Sequence, residues 1–151
     1  GDVVDTNGFL GKVHEIQIFN TVIKTFDNRR IILPNSAISN NPITNITAEE
    51  TRRVDMEFSI SYSDDIMKTK EILLELISAD ERIINDPAEP FVAFREMADS
   101  ALIFVVRAWC NKDDYWGIYF SMQEKVKQRF DAEGISIPFP QRDVHLYNHS
   151  N

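Results

Sequence analysis

Four groups of side chains in this chain are of the types from which chemistry is made. The histidines are His14, His145 and His149, and Cys110 is the single cysteine. Two of the histidines lie near the end, and none stands in a metal-ligand spacing with Cys110. They read as surface or structural residues, and no metal is expected. Cys110 closes an apolar run with only Lys112 as a local base, which favours a buried, inert thiol over a nucleophile. Asp64-Asp65 and Asp113-Asp114 have the look of paired carboxylates for acid–base work. Each pair precedes a helical pattern, however, where a carboxylate satisfies free N–H groups and the helix dipole, so both read as caps. Trp109, Tyr115, Trp116 and Tyr119 could stack on a ligand, but core and subunit packing is the expected use. There is no glycine-rich phosphate loop and no Gly-x-Ser-x-Gly elbow. The chain therefore offers no catalytic residue and no cofactor, and it does not read as an enzyme.

The elements that carry these residues fall into two styles that meet near Arg52-Arg53. Before that point, short apolar-alternating runs separated by turn residues cover Phe9 to Ile18, Thr21 to Phe26, Arg30 to Leu33 and, weakly, Ile43 to Thr47. Asp27-Asn28 is a hairpin-type turn signal. Gly11 fits a bulge or sharp bend of the kind a small closed barrel needs. Asn35 or Ser36, after Pro34, can cap one short helical turn. Beyond the divide, Val54, Met56, Phe58, Ile60 and Tyr62 alternate as a half-buried strand. Asp64 or Asp65 then opens a helix through Ile66, Leu73, Leu76 and Ile77, which Asn85-Asp86-Pro87 breaks. Residues 91–97 and 101–110 read as strands, the second apolar enough to be central. A long helix follows with Tyr115, Tyr119, Met122, Val126 and Phe130 on one face, and Gly134 closes it. The order β-α-β-β-α-β is that of a ferredoxin-like α+β domain. The domains are expected at 1–52, 53–137 and 138–151.

Charge and hydropathy narrow the function. The chain has 151 residues, a net charge of −8 and no apolar run near the ~18 residues that cross a bilayer. Residues 1–52 hold 6 acids and 5 bases, and the remainder 18 acids and 11 bases, so the acidic bias belongs to the second part. Nucleic-acid binding wants a basic patch, and none is expected. The chain opens on Gly1-Asp2-Val3-Val4, already inside a strand-like segment and without a signal segment, so it reads as a piece whose N-terminal portion lies elsewhere. A lone cysteine fits a reducing compartment.

The end of the chain is the most specific segment. After Gly134, residues 135–137 run extended, and Pro138 and Pro140 place two missing N–H donors on one edge. Residues 141–147 could then form a strand with no partner left in the sequence, which points to partners on other chains. Read with Gly1-Asp2-Val3-Val4, Gly11-Lys12-Val13-His14-Glu15-Ile16, residues 25–36 (Thr25-Phe26-Asp27-Asn28-Arg29-Arg30 through Pro34-Asn35-Ser36) and Asn45-Ile46-Thr47, the closing Gly134-Ile135-Ser136-Ile137-Pro138-Phe139-Pro140-Gln141 resembles the mechanosensitive channel of small conductance (MscS) family, in the family's order.

That resemblance implies the cytosolic part of a bacterial inner-membrane channel whose transmembrane helices lie outside this chain. It implies an Sm-like barrel over 1–52 and a cage wall over 53–137. One strand per copy would come from 138–147, with Pro138, Phe139, Pro140, Gln141, Asp143, Val144 and Leu146 in a parallel β-barrel of a homoheptamer. Ions and small solutes would enter through side portals, which the same resemblance lines with Asp55 and Glu124, and more weakly Glu57. The channel would release solutes when membrane tension rises under hypoosmotic conditions. A soluble ligand-binding or regulatory oligomer is the alternative, because such folds also serve as binding modules.

Overall fold

The computed structural model describes residues 1–149 and contains two compact units, the first spanning Gly1–Glu50 and the second beginning at Thr51. Both are built from antiparallel sheets, and helices occur mainly in the second, so the class is α+β.

In the first unit, β1 (Val3–Thr6), β2 (Phe9–Ile16), β3 (Asn20–Thr25), β4 (Arg30–Pro34) and the short β5 (Thr44–Asn45) form one sheet in the order β4-β3-β2-β1-β5. It has two edges, β4 and β5, where the sequence suggested a closed barrel. Val4, Ile23 and Leu33 make a small core against Val13, Ile31 and Ile38. Asn28 turns the β3–β4 hairpin with φ 70°, the left-handed conformation that asparagine tolerates. The bulge falls between Val13 and Glu15, not at Gly11. Gly11 has a different role. A Cβ there would lie 2.6 Å from both the Lys24 carbonyl oxygen and Ile23 Cγ2, so β2 can approach β3 this closely only without a side chain. Gly11→Ala is expected to destabilise this unit by about 1–3 kcal/mol, because a backbone oxygen cannot step aside. Amide hydrogen exchange in β2 and β3 should accelerate accordingly; unchanged protection would count against the argument. The turn after β4, α1 (Asn35–Ser39), lacks a side-chain cap. Asn35 instead donates to the carbonyls of Gln17 and Ile18, at 2.9 and 3.1 Å, and accepts from the Thr21 hydroxyl at 2.7 Å. It pins the β2–β3 turn.

The second unit is a two-layer sandwich. β9 (Leu102–Asn111) is central, as its apolar composition suggested, with β6 (Thr51–Ile60) along one edge and β7 (Ile83–Ile84) and β8 (Phe91–Met97) along the other. α2 (Ile66–Ser78) and α3 (Tyr115–Glu133) cover one face. The alternation of β6 sends Val54, Met56, Phe58 and Ile60 into the core with Phe104, Val106, Ala108 and Cys110 of β9. α3 adds Ile118, Met122, Val126 and Phe130 at helical spacing, and α2 adds Ile72, Leu73 and Ile77. Two ion pairs join the helices, Lys68–Glu133 and Glu75–Arg129, each at 3.1 Å, and Arg129 also pairs with Glu133 within α3 at 3.1 Å.

The caps divide. Asp65 accepts from the Lys68 N–H at 2.8 Å and starts α2, while Asp64 accepts from the N–H groups of Ser61 and Ser136, at 3.1 and 2.9 Å. Asp113 and Asp114 lie in a single 3-10 turn before α3, and Asp114 makes no side-chain capping bond, contrary to the expectation for this pair. α2 ends at Ser78, well before Asn85-Asp86-Pro87, and just beyond it Asp80 is buried and held by Arg82 at 2.7 Å. The hydrogen bonds from Arg82 keep the Asp80 carboxyl below its usual range against the opposing effect of burial. Gly134, with φ 71°, terminates α3.

Candidate functional surface

The face of the second sheet turned away from the helices carries the outward residues of β6: Arg53, Asp55 and Glu57. Their order on this face follows from the two-residue period of the strand. Register sets Asp55 opposite Arg107 and Glu57 opposite Val105 of β9, and β8 brings Arg95 alongside. Arg53 grips Asp55 with two hydrogen bonds, Nε–Oδ1 at 2.6 Å and an NH2–Oδ2 contact at 3.0 Å. Arg95 pairs with Glu57 and also reaches Glu96 at 2.5 Å. Asp55, Met56, Glu57, Arg95, Val105 and Arg107 surround a shallow cleft of about 330 Å³. The carboxylates nominated from sequence therefore do not form an acidic patch within one chain. Arg53 answers Asp55, Arg95 answers both Glu57 and Glu96, and Arg107 adds a further cation opposite Asp55.

Glu124 lies elsewhere. It is exposed on α3, two residues from buried Met122 and from buried Val126, hence about 200° round the helix from each. α3 packs on the opposite face of the sheet from Asp55, so one chain cannot bring the two together. Only contact between copies could.

The segment after α3 is tied down briefly and then released. Ile135 is the last core residue, and the Ser61 N–H donates to the Ser136 carbonyl at 3.0 Å. Residues 138–149 form no helix and no strand, and the Gln141 N–H reaches the Ser100 hydroxyl at 3.1 Å. Phe139, Val144, Leu146 and Tyr147 stand 72–86 % exposed. Pro138 is half-buried; Pro140, Gln141 and Asp143 are exposed. The strand anticipated here is absent from the single chain, which supplies no partner for it. Residues 150–151 of the tail lie outside the described residues.

Of the four aromatic candidates, α3 gathers three. Trp116 meets Tyr115 and Tyr119 edge-on at 5.0 and 5.5 Å and stacks on Phe120 at 5.6 Å, while the Arg52 guanidinium lies 3.8 Å from the Tyr115 ring centre. Trp109 sits on the outer sheet face and is not part of this cluster. Phe120 and the Arg52 contact were not singled out from sequence, although Trp116 and Phe120 are four apart on one helix. Cys110 is fully buried, and burial pushes its thiol above the ordinary value, which suppresses the nucleophilic thiolate. Among the described residues no group of histidine, cysteine and carboxylate side chains could hold a metal, and no helix is long and apolar enough to cross a membrane.

Comparison with known proteins matches the chain to two family descriptions in sequence: "Mechanosensitive ion channel, beta-domain" over residues 1–48, and "Mechanosensitive ion channel MscS, C-terminal" over residues 54–137. The small-conductance mechanosensitive channel of Edwardsiella ictaluri is 46 % identical over 147 residues, covering 97 % of this chain and 51 % of that protein. An uncharacterized MscS family protein of Synechocystis is 38 % identical, covering 97 % and 49 %. The crystal structure of Helicobacter pylori MscS in its closed state superposes with a TM-score of 0.89 at 28 % identity, over 99 % of this chain and 59 % of that one. Arabidopsis thaliana MSL1, at 15 % identity and a TM-score of 0.74 over 91 % of this chain and 51 % of that one, shares the fold. The chain spans about half the length of the curated relatives it matches.

Proposed function

The chain belongs to the MscS family of mechanosensitive ion channels, and from that membership we propose that it forms the cytosolic cage of such a channel, the rest of which lies outside this chain. The observation that carries this reading is the succession of the two family segments, over residues 1–48 and 54–137, in a chain that aligns over 97 % of its length at 46 % identity to a small-conductance mechanosensitive channel. Seven copies form the cage on the cytoplasmic side of a bacterial inner membrane, below transmembrane helices supplied by the same polypeptide. Residues 1–52 make the Sm-like upper ring, 53–137 the ferredoxin-like wall, and 138–151 the terminal strand and tail. One extended segment per copy, carrying Phe139, Val144 and Leu146, closes a parallel barrel, which removes the open strand edges that a single chain cannot satisfy. Ions and small solutes pass through openings between subunits on their way to the pore, which opens when hypoosmotic stress stretches the membrane.

Asp55 and Glu57 of one copy and Glu124 of the next line those openings. Because arginines already answer the two β6 carboxylates, the native portal carries a weak field and discriminates little between ions of opposite sign. Asp55→Lys removes the partner of Arg53 and adds a charge, a change of two units in each of seven copies. If this raises the portal potential by about one kT, the local anion-to-cation ratio rises about sevenfold. Reversal potentials of the full-length channel in a salt gradient are therefore expected to move toward anion preference in Asp55→Lys, and in the same direction in Glu124→Lys. Reversal potentials that stay put in both variants would remove these residues from the portal.

A further inference from the structure

We propose that the outer face of the first unit's sheet is a docking surface for acidic phospholipid headgroups, held by a cross-strand row of Lys12, Lys24 and Arg30. Register places Lys12 directly opposite Lys24, and Lys24 directly opposite Arg30. Directly opposed side chains on antiparallel strands have Cβ atoms about 4.5–5.5 Å apart, and like charges at that spacing repel. The row occupies the face opposite the small core, since its strand neighbours Val13, Ile23 and Ile31 point inward. All three cations are exposed, and none enters an ion pair among the described residues. Other bases in the same chain are treated differently: Arg29 is held by Asp27 at 2.8 Å, and Arg53 by Asp55 at 2.6 Å.

Three cations side by side, in a chain of net charge −8 and without an ion pair among the described residues, repel one another and oppose folding. They make sense as a site for an anion. What surrounds them favours a lipid surface over an acidic polypeptide. Phe26, in the turn that follows β3, borders the same cleft as Lys24 and is 72 % exposed; Ile32 follows Arg30 by two on β4 and is 64 % exposed. Lys12, His14, Lys24 and Phe26 border a cleft of about 580 Å³, roomy enough for a phosphate-bearing headgroup. Cations beside exposed apolar and aromatic side chains are the composition of surfaces that rest in the headgroup layer of a membrane. The remaining acidity of the chain opposes adsorption elsewhere and so orients the contact.

The test is flotation of the 151-residue chain with vesicles of phosphatidylcholine alone and of equimolar phosphatidylcholine and phosphatidylglycerol. Binding is expected only to the acidic vesicles, and it should weaken as salt shortens the Debye length. Each cation near such a surface accounts for about fivefold in partitioning, so Lys12→Gln/Lys24→Gln/Arg30→Gln should bind roughly a hundredfold more weakly. Phe26→Ser should also weaken binding while leaving its salt dependence in place. The triple variant should melt no lower than the parent, since it loses only repulsion; a lower melting temperature would show that the row is used within the fold and would overturn the proposal. So would absence of binding, or equal binding of parent and triple variant. Displacement from the vesicles by millimolar inorganic phosphate would reassign the site to free phosphate, and preferential capture of polyglutamate would reassign it to an acidic polypeptide.

Discussion

Ending the chain after Ile137 is expected to abolish the proposed sevenfold assembly while leaving both units folded. The separation of these two effects follows from where the core stops. Ile135 is its last member, and the bonds that anchor this end, from the Ile135 N–H to the Phe130 carbonyl at 2.9 Å and from the Ser136 N–H to Asp64 at 2.9 Å, precede the cut. Among the described residues, those removed are exposed apart from half-buried Pro138 and contribute no sheet pairing. Its value to the assembly is another matter. Phe139, Val144, Leu146 and Tyr147 each stand at least 72 % exposed, and burying side chains of this size stabilises by about 1.5–3 kcal/mol apiece before ordering costs. Repeated in every copy, that gain opposes the repulsion among acidic subunits, whose net charge is −8 each. Light scattering coupled to size exclusion should give a heptamer for the whole chain and a monomer for the shortened one, with matching thermal transitions. Heptamers from both would move the assembly role to the sheet faces and to the Trp116–Phe120 stack.

The same segment shows why some features were legible in the sequence and others were not. Local patterns read well. Alternation in β6, the apolar run of β9, the Asp65 cap and the Gly134 stop each depend on a few neighbouring residues, and each is present in the structure. What failed depended on distant partners. Gly11 was assigned a bulge because nothing in the sequence shows that the Lys24 carbonyl would lie against it. Asp113 and Asp114 were assigned a cap because the intervening 3-10 turn leaves no local mark. Just beyond the early end of α2, buried Asp80 pairs with half-exposed Arg82, two residues that look like ordinary surface charges when read singly. The arginines that answer Asp55 and Glu57 come in part from other strands, so a list of acidic positions could not show their neutralisation. The basic row was within reach. With the hairpin turn centred on Asp27, Lys24 and Arg30 fall opposite each other by counting alone. Lys12 joins them only through the pairing of β2 with β3, whose register the Val13–Glu15 bulge shifts further along.

Phe104→Ala is expected to have the largest effect on stability of any single truncation in the second unit. Phe104 is fully buried on the central strand β9, directly opposite Phe58 of β6 and Phe94 of β8. The three rings form one row across the inner face of the sheet, and Phe94 meets Phe104 at 5.5 Å and 58°, a tilted aromatic pair. Removing the middle ring takes away the transfer free energy of a large side chain and leaves a cavity that its neighbours cannot easily fill, because both helices are held across this face by the Lys68, Glu75, Arg129 and Glu133 ion pairs. The cost should be about 3–5 kcal/mol, a large share of the total stability of a domain of this size. At roughly 4–8 °C per kcal/mol, the transition should fall by about 12–40 °C. Both tryptophans, Trp109 and Trp116, lie in this unit, so their fluorescence reports its unfolding without a contribution from the first. Phe139→Ala, at a ring 84 % exposed in the single chain, is the contrast: in the monomeric state it should change the melting temperature little, and its effect should appear only in the mass of the assembly. A Phe104→Ala transition within a few degrees of the parent would mean that the two helices settle onto the sheet more freely than their ion pairs suggest.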